Sequence, residues 1–477
     1  MPSANKVAIN NASATTLQLD REDQLFVYGD FDPSELAERR RRVGAELNGA
    51  RALVASLPAP NGMWGVRQTN EFYYLTGLDC AGAYILLEAD GSATLYLKPR
   101  DAKREDIDGP ELSDEDGEFI QRVAGINRVK PIAELVIDLT DTPKLFLLRE
   151  PAEGYRQTHD SLRAYARSLA ADPFHAGYAS LEEHLLLRLA QRFPAMSFGN
   201  LTPILRRLRL VKSPAELRLM REAGRLSGMG VAEAMRCTQS GVNEYELAAV
   251  CDYVFRAGGA FGGAHQAIAA SGDRNIYAMH YWRANSTLRD GDLMLLDYAP
   301  DYRYYTSDIG RMWPVNGTYS ADQRSLYGLC IEYHKLLLTL IRPGRTRDDI
   351  FAEAAGTFRP VLEKWSFPNE SSRSAGLDML ESKRPLSHAV GMAIHDPGDW
   401  TTRPLQVGDV FAVDPELFIR DLRQYIRCED TVAVTEDGCE ILTKCPLEMD
   451  DVEQLMANAQ RDGGGLLQRY PVSRTDL

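Results

Sequence analysis

In the stretch LLDYAPDYRYYTSDIG, residues 295–310, Asp297 closes an apolar β-type run and Asp308 follows after a tyrosine-rich turn. Alone, the pair reads as cap and turn residues, because aspartate side chains bond nearby backbone readily. Further along, PLSHAVGMAIHDPGDW carries His388 and His395 in a chain with only 8 histidines. Either one alone would be a satisfied core histidine. VFAVDPELFI adds Asp414 and Glu416, and QYIRCEDTVAV adds Arg427, Glu429 and Asp430. In both segments an acid follows or interrupts an apolar run, where an unpaired buried carboxylate is costly. A cation is therefore expected beside them. Four carboxylates and one imidazole make a hard, oxygen-rich donor set suited to a pair of Mn, Co, Zn or Fe ions. Two such ions can bridge and deprotonate a water near neutral pH and polarise a carbonyl.

The elements that must position these donors are legible in part. DLMLLDY, VFAVD and DTVAVTE read as strands, and Asp308 can return antiparallel to Asp297 after a turn at Pro300-Asp301. Helices start at three capping boxes: Ser213 with Glu216 and Pro214 at the first helical position, Asn243 with Glu246, and Ser320 with Gln323. In the first half, AYILLEA and ATLYLKP read as a hairpin joined by DGS. The acidic stretch DAKREDIDGPELSDEDGE, without apolar period, reads as a solvated loop. Helices separated from mostly hairpin-like strands predict an α+β fold with helices on one side of a curved sheet. The boundary falls near residues 195–205, dividing the chain into 1–200 and 201–477.

Composition narrows the function. At 477 residues the chain is too long for one ordinary core. A formal charge of −14 repels polyanions, so neither nucleic acid nor an anionic membrane surface is an expected partner. The 7 cysteines are scattered and form no Cys-x-x-Cys, which favours a reducing compartment over a disulfide framework. The opening MPSANKVAINNASATTLQLD lacks a basic segment followed by an apolar one, and no run reaches the ~20 apolar residues of a membrane span. A cytoplasmic protein is expected.

The order Asp, Asp, His, acid, Glu resembles the pita-bread metallopeptidases, in the aminopeptidase P and prolidase branch that cleaves Xaa-Pro bonds. MHYWRANSTLRDGDLMLLDYAPDYRYYTSDIGRMWPVNG is similar to that family's segment from a substrate-binding histidine, here His280, through both aspartates. SHAVGMAIHD resembles the block with a metal-binding histidine, His388, and a catalytic one, His395. YIRCEDTVAVTEDGCEILT resembles the closing strand that contributes Arg427 and Glu429. The likeness spans roughly residues 205–447, with a vaguer one at RQTNEFYYLTGLDCAGAYILL.

The resemblance implies an amino-terminal α/β domain and a carboxy-terminal pita-bread catalytic domain, assembled as a dimer or tetramer. It implies two divalent ions, Mn foremost with Zn or Co as alternatives, held by Asp297, Asp308, His388, Asp414 and Glu429. A metal-bridging hydroxide would attack a peptide whose second residue is proline. Asp414 would carry the proton, His280 and His395 would steady the substrate and oxyanion, and Arg427 would orient a carboxylate or the substrate. Arg384, outside the family pattern, reads either as a binder of a substrate carboxylate or as a surface residue. Two positions depart from the pattern. Asp414 stands where the family has glutamate, with Glu416 as the neighbour that can assist it. Arg384 stands four residues before His388, where a second histidine is usual. A prolidase restricted to dipeptides, and a binding scaffold without turnover, are the competing expectations.

Overall fold

The computed structural model describes residues 22, 25–58, 67–175, 177 and 179–470. The opening stretch read for a leader is outside the described residues. Short apolar runs of the first half form a six-stranded mixed sheet ordered β4-β3-β2-β1-β5-β6. Its strands are β1 (Arg51–Ala55), β2 (Tyr84–Leu87), β3 (Ala93–Leu97), β4 (Arg128–Pro131), β5 (Lys144–Leu147) and β6 (Ser197–Asn200). The expected hairpin forms, with Tyr84 of β2 opposite Tyr96 of β3. Two helices of this half reach the other half: α1 (Asn70–Thr76) and α2 (His159–Ala171). The acidic stretch is not all loop. It contains the helix Ala102–Asp108, started by the Asp101 side chain accepting the Arg104 N–H and burying no residue. Propensity and a cap suffice for a short solvated helix there.

All three capping boxes form, opening α3 (Pro214–Cys237), α4 (Glu244–Ala257) and α5 (Ala321–Leu340). The buried faces of these helices share one apolar core with the second sheet, around Val231, Phe255, Tyr327 and Trp313. That sheet is antiparallel and ordered β12-β15-β11-β9-β8, with β16 on β15. Its strands are β8 (Ile268–Ser271), β9 (Leu293–Asp297), β11 (Ile309–Pro314), β12 (Val410–Val413), β15 (Glu429–Val434) and β16 (Cys439–Ile441). Two short ribbons flank it: β7 (Gly262–Gly263) with β10 (Pro300–Asp301), and β13 (Glu416–Ile419) with β14 (Gln424–Arg427). Among the described residues no helix is long and apolar enough to cross a membrane.

The return from Asp297 to Asp308 is antiparallel as expected, but its turn lies elsewhere. Pro300 and Asp301 pair with Gly263 and Gly262, and the chain reverses at Tyr302–Tyr305. Arg303 and Tyr304 there take left-handed φ values of 51° and 73°. Such backbone costs about 1–3 kcal/mol per residue outside glycine, and the first half of the chain offsets it. The Tyr304 ring stacks on Tyr73 of α1 with centroids 3.5 Å apart, and its hydroxyl accepts the Gln68 N–H at 2.7 Å. Beside it the Tyr305 hydroxyl donates to Glu216 of α3 at 2.8 Å.

Tyr304→Phe keeps the stack but removes the hydroxyl that bonds both the Gln68 N–H and Asp79, so it should cost about 1–3 kcal/mol in urea unfolding. Tyr304→Ala should cost about 3–5 kcal/mol. Equal losses in the two variants would mean that the stack contributes nothing.

Candidate active site

Strand register assembles the acids. Gly310 of β11 lies opposite Asp297 of β9 on one side and Glu429 of β15 on the other. A side chain at Gly310 would fill the space between them, since a Cβ there would sit 3.1 Å from the Glu429 Cβ and 3.3 Å from Arg427 Nε. Glycine therefore lets the two carboxylates converge. Asp308, just before β11, is anchored through its backbone, its N–H donating to Thr431 Oγ1 at 2.6 Å. Its side chain is left for the cavity.

Arg427 lies among the acids. Its Nε and Nη2 donate to the two oxygens of Asp414 at 3.0 and 2.9 Å, and Nη1 donates to Asp297 at 3.0 Å. Nη2 also donates to Glu429. Arg427 and Glu429, two residues apart, thus meet on one side of the chain. Asp297, Asp308, Asp414 and Glu429 are at most 5% exposed. Burial, with neighbouring carboxylates adding to it, pushes the Asp308 and Glu429 carboxyls well above the usual range; at Asp414, burial outweighs the opposing pull of Arg427. One guanidinium does not neutralise four carboxylates at this depth.

His388 completes the cluster. Its Nδ1 lies 3.2 Å from the Ala389 carbonyl, which fixes the proton there, and Nε2 lies 3.5 Å from Asp308 and 4.0 Å from Glu429. Burial first, then His395 nearby, holds this imidazole neutral by depressing its pKa well below the ordinary value. A neutral ring oriented through its other nitrogen is the usual state of a metal-binding histidine. Asp308, His388 and Glu429 present ligand atoms within 4.8 Å of one another, and so do His265, Asp297 and Asp308. Asp297 Oδ1, Asp308 Oδ1, Glu429 Oε1 and His265 Nε2 are buried without a hydrogen-bond partner. Partnerless oxygens beside neutral imidazoles are the donor set that divalent ions require.

These groups open on a cavity of about 620 Å³ lined from both halves of the chain. His395 packs against His388 with ring centroids 4.1 Å apart, and its Nδ1 lies 2.7 Å from Asp160 of α2. Burial opposes the Asp160 charge, but hydrogen bonds from His395 and Thr158 outweigh it and keep the carboxyl below its usual range. His280 lines the cavity at an exposed position. Arg384 is more than half exposed; it pairs with Glu416 at 3.5 Å and lies over the Phe418 ring. Glu416 accepts the Tyr425 hydroxyl at 2.7 Å, so it faces Arg384 and not the acid cluster. Sequence reasoning missed Asp160, which lies far away in the chain, and His265 in GGAHQAIAAS. The one available signal for His265 was a scarce histidine just before a strand.

Fold and donors together define a metallopeptidase. Residues 218–436 match the profile of Metallopeptidase family M24, and residues 36–144 match Aminopeptidase P, N-terminal domain. The chain is 30% identical to Xaa-Pro aminopeptidase 3 of Mus musculus over 409 residues, covering 81% of this chain and 76% of the relative. It is 28% identical to a Xaa-Pro aminopeptidase of Haemophilus influenzae, covering 91% and 99%. An aminopeptidase structure from Pseudomonas aeruginosa superposes with a TM-score of 0.70 at 26% identity, covering 90% and 99%. The chain belongs to metallopeptidase family M24, among the aminopeptidase P-type enzymes, and is a hydrolase and not a scaffold.

Acid crowding makes the pH dependence of the metal-free protein testable. Carboxyls raised in the folded state stabilise it below their unfolded values and lose that contribution as pH rises through the raised ones. The chelated protein should therefore lose thermal stability on going from acid towards neutral pH, and added Mn should restore it. At a hundredfold excess over its dissociation constant the ion contributes about 2.7 kcal/mol. Asp308→Asn should abolish the Mn-induced rise in Tm; an unchanged rise would place the ions elsewhere.

Proposed function

We propose that the protein is a dinuclear Xaa-Pro aminopeptidase, with residues 201–477 as the catalytic unit and 1–200 walling one side of the cleft. Asp308, shared by two donor clusters at the floor of a cavity, is the observation that carries this reading, together with the family. Asp297, Asp308, His388 and Glu429 would hold the ions, Mn foremost. Bound there, they supply a water acidic enough to attack near neutral pH and polarise the scissile carbonyl.

The remaining chemistry belongs to this chain's side chains. Asp414, with both oxygens on Arg427 and its carboxyl raised by burial, suits proton acceptance from the attacking water and return to the leaving proline nitrogen. His395, with Asp160 accepting at Nδ1, keeps Nε2 for the carbonyl oxygen as it gains charge. Arg427 fixes Asp297, Asp414 and Glu429 relative to one another. His280 steadies the substrate from the rim. Seven free cysteines support the expected reducing, cytoplasmic setting. A dimer or tetramer, as the family resemblance of the sequence implies, is proposed.

The site favours longer peptides over dipeptides. Arg384, the group a dipeptidase would need for a free carboxylate, is already occupied by Glu416 and Phe418. An Xaa-Pro tripeptide or longer peptide should exceed Gly-Pro by at least about tenfold in kcat/KM, since one charge-assisted contact is worth that much. Equal turnover would favour the prolidase reading. Asp414→Asn should lower kcat by about 10²–10⁴-fold, the span of general acid–base catalysis, while metal content stays at the wild-type level.

A further inference from the structure

His265 lies between β7 and β8, in one of the two donor clusters, and is not among the residues named above as holding the ions. Its Nδ1 is 3.0 Å from the Gln266 carbonyl, so the ring proton sits there and Nε2 carries a lone pair. Nε2 is buried, has no hydrogen-bond partner and faces Asp297 Oδ1 at 3.7 Å, which is also buried and partnerless. Two electron-rich atoms facing each other out of water repel unless a cation lies between them. Their separation is too long for a hydrogen bond. It is shorter than the ~4.2 Å that two ligands, each about 2.1 Å from one ion, can span.

The surroundings hold the ring in this pose. His265 meets the Tyr298 ring edge-on with centroids 5.6 Å apart. Tyr298 in turn donates to Asp252 at 2.6 Å and accepts from Arg156, which also binds the Gly263 carbonyl at 3.0 Å. Gly263 admits Tyr298, since a Cβ there would overlap the phenol. Burial also favours the neutral ring. Arg427 takes only Oδ2 of Asp297, so Oδ1 is left facing His265.

We propose that His265 is a metal ligand of this protein, standing with Asp297 and Asp308 as His388 stands with Asp308 and Glu429. Each ion then receives one imidazole, and Asp308 serves both groups. This assignment rests on the dinuclear reading above.

The test uses the full chain, stripped by chelator and titrated with Co²⁺. Calorimetry should find two equivalents in the wild type, and in His265→Ala one of them should weaken at least tenfold, with a changed visible Co²⁺ spectrum. Asp297→Asn should weaken the same equivalent. Proton NMR of the wild-type Co²⁺ protein gives a readout independent of any variant's folding. Two exchangeable, paramagnetically shifted imidazole N–H signals are expected, from His265 and His388. A single such signal, or unaltered binding of both equivalents by His265→Ala, would overturn the assignment. A wild type that takes up no Co²⁺ would instead overturn the dinuclear reading beneath it.

Discussion

Four carboxylates buried around one guanidinium is an arrangement that water cannot relieve, and the rest of the molecule is organised to sustain it. Asp297, Asp308 and Glu429 meet because β9, β11 and β15 run side by side with a glycine between their acid-bearing ends, and Asp414 joins them from the end of β12, which pairs with β15. Alternation along β15 then separates the neighbouring acids. Glu429 faces the cavity, while Asp430 turns to the other face, where Arg311 donates at 2.7 Å and Thr443 at 2.7 Å. On that face the charge is neutralised by protein alone. On the cavity face it is not, and the surplus negative charge is the affinity for divalent ions that defines the family.

The site also draws on the first half of the chain. The segment bringing Asp308 back to Asp297 turns through two left-handed residues, and the strained turn is clamped by aromatic stacking on Tyr73 of the other half. Asp301 in the same segment pairs with Arg67, and Arg209 bridges Glu153 and Asp396 at 2.7 and 2.6 Å. Asp396 directly follows His395, whose own ring is held by Asp160. The first half thus sets the shape of the ligand-bearing turn and the orientation of a histidine that touches the cavity. Its sheet contributes no ligand, yet its helices and loops decide how ligands and substrate groups are presented.

Much of this was legible before any coordinates. Capping boxes at Ser213, Asn243 and Ser320 announce helix starts because a cap is satisfied within a few residues of itself. Short apolar runs announce the hairpin and the sheet strands for the same reason. The ordered acids and histidines are read from the chain because the fold presents them in sequence order. Less visible were the turn at Tyr302–Tyr305 and the helix at Ala102–Asp108. The first is chosen by a distant tyrosine and the second by a local cap that charge density obscured.

The sequence by itself determined the α+β class, the helix starts and which residues carry chemistry, since these follow from local periodicity, capping and donor type. Only the tertiary structure decided how those residues divide the work. Arg427 claims both oxygens of Asp414, Arg384 turns to Glu416, Asp160 reaches His395, and His265 comes to rest against Asp297. Each of these pairings joins residues whose side chains meet only when separate strands, ribbons and domains have packed. The energies that select them, desolvation and direct ion pairing, depend on distance in space and not on distance along the chain.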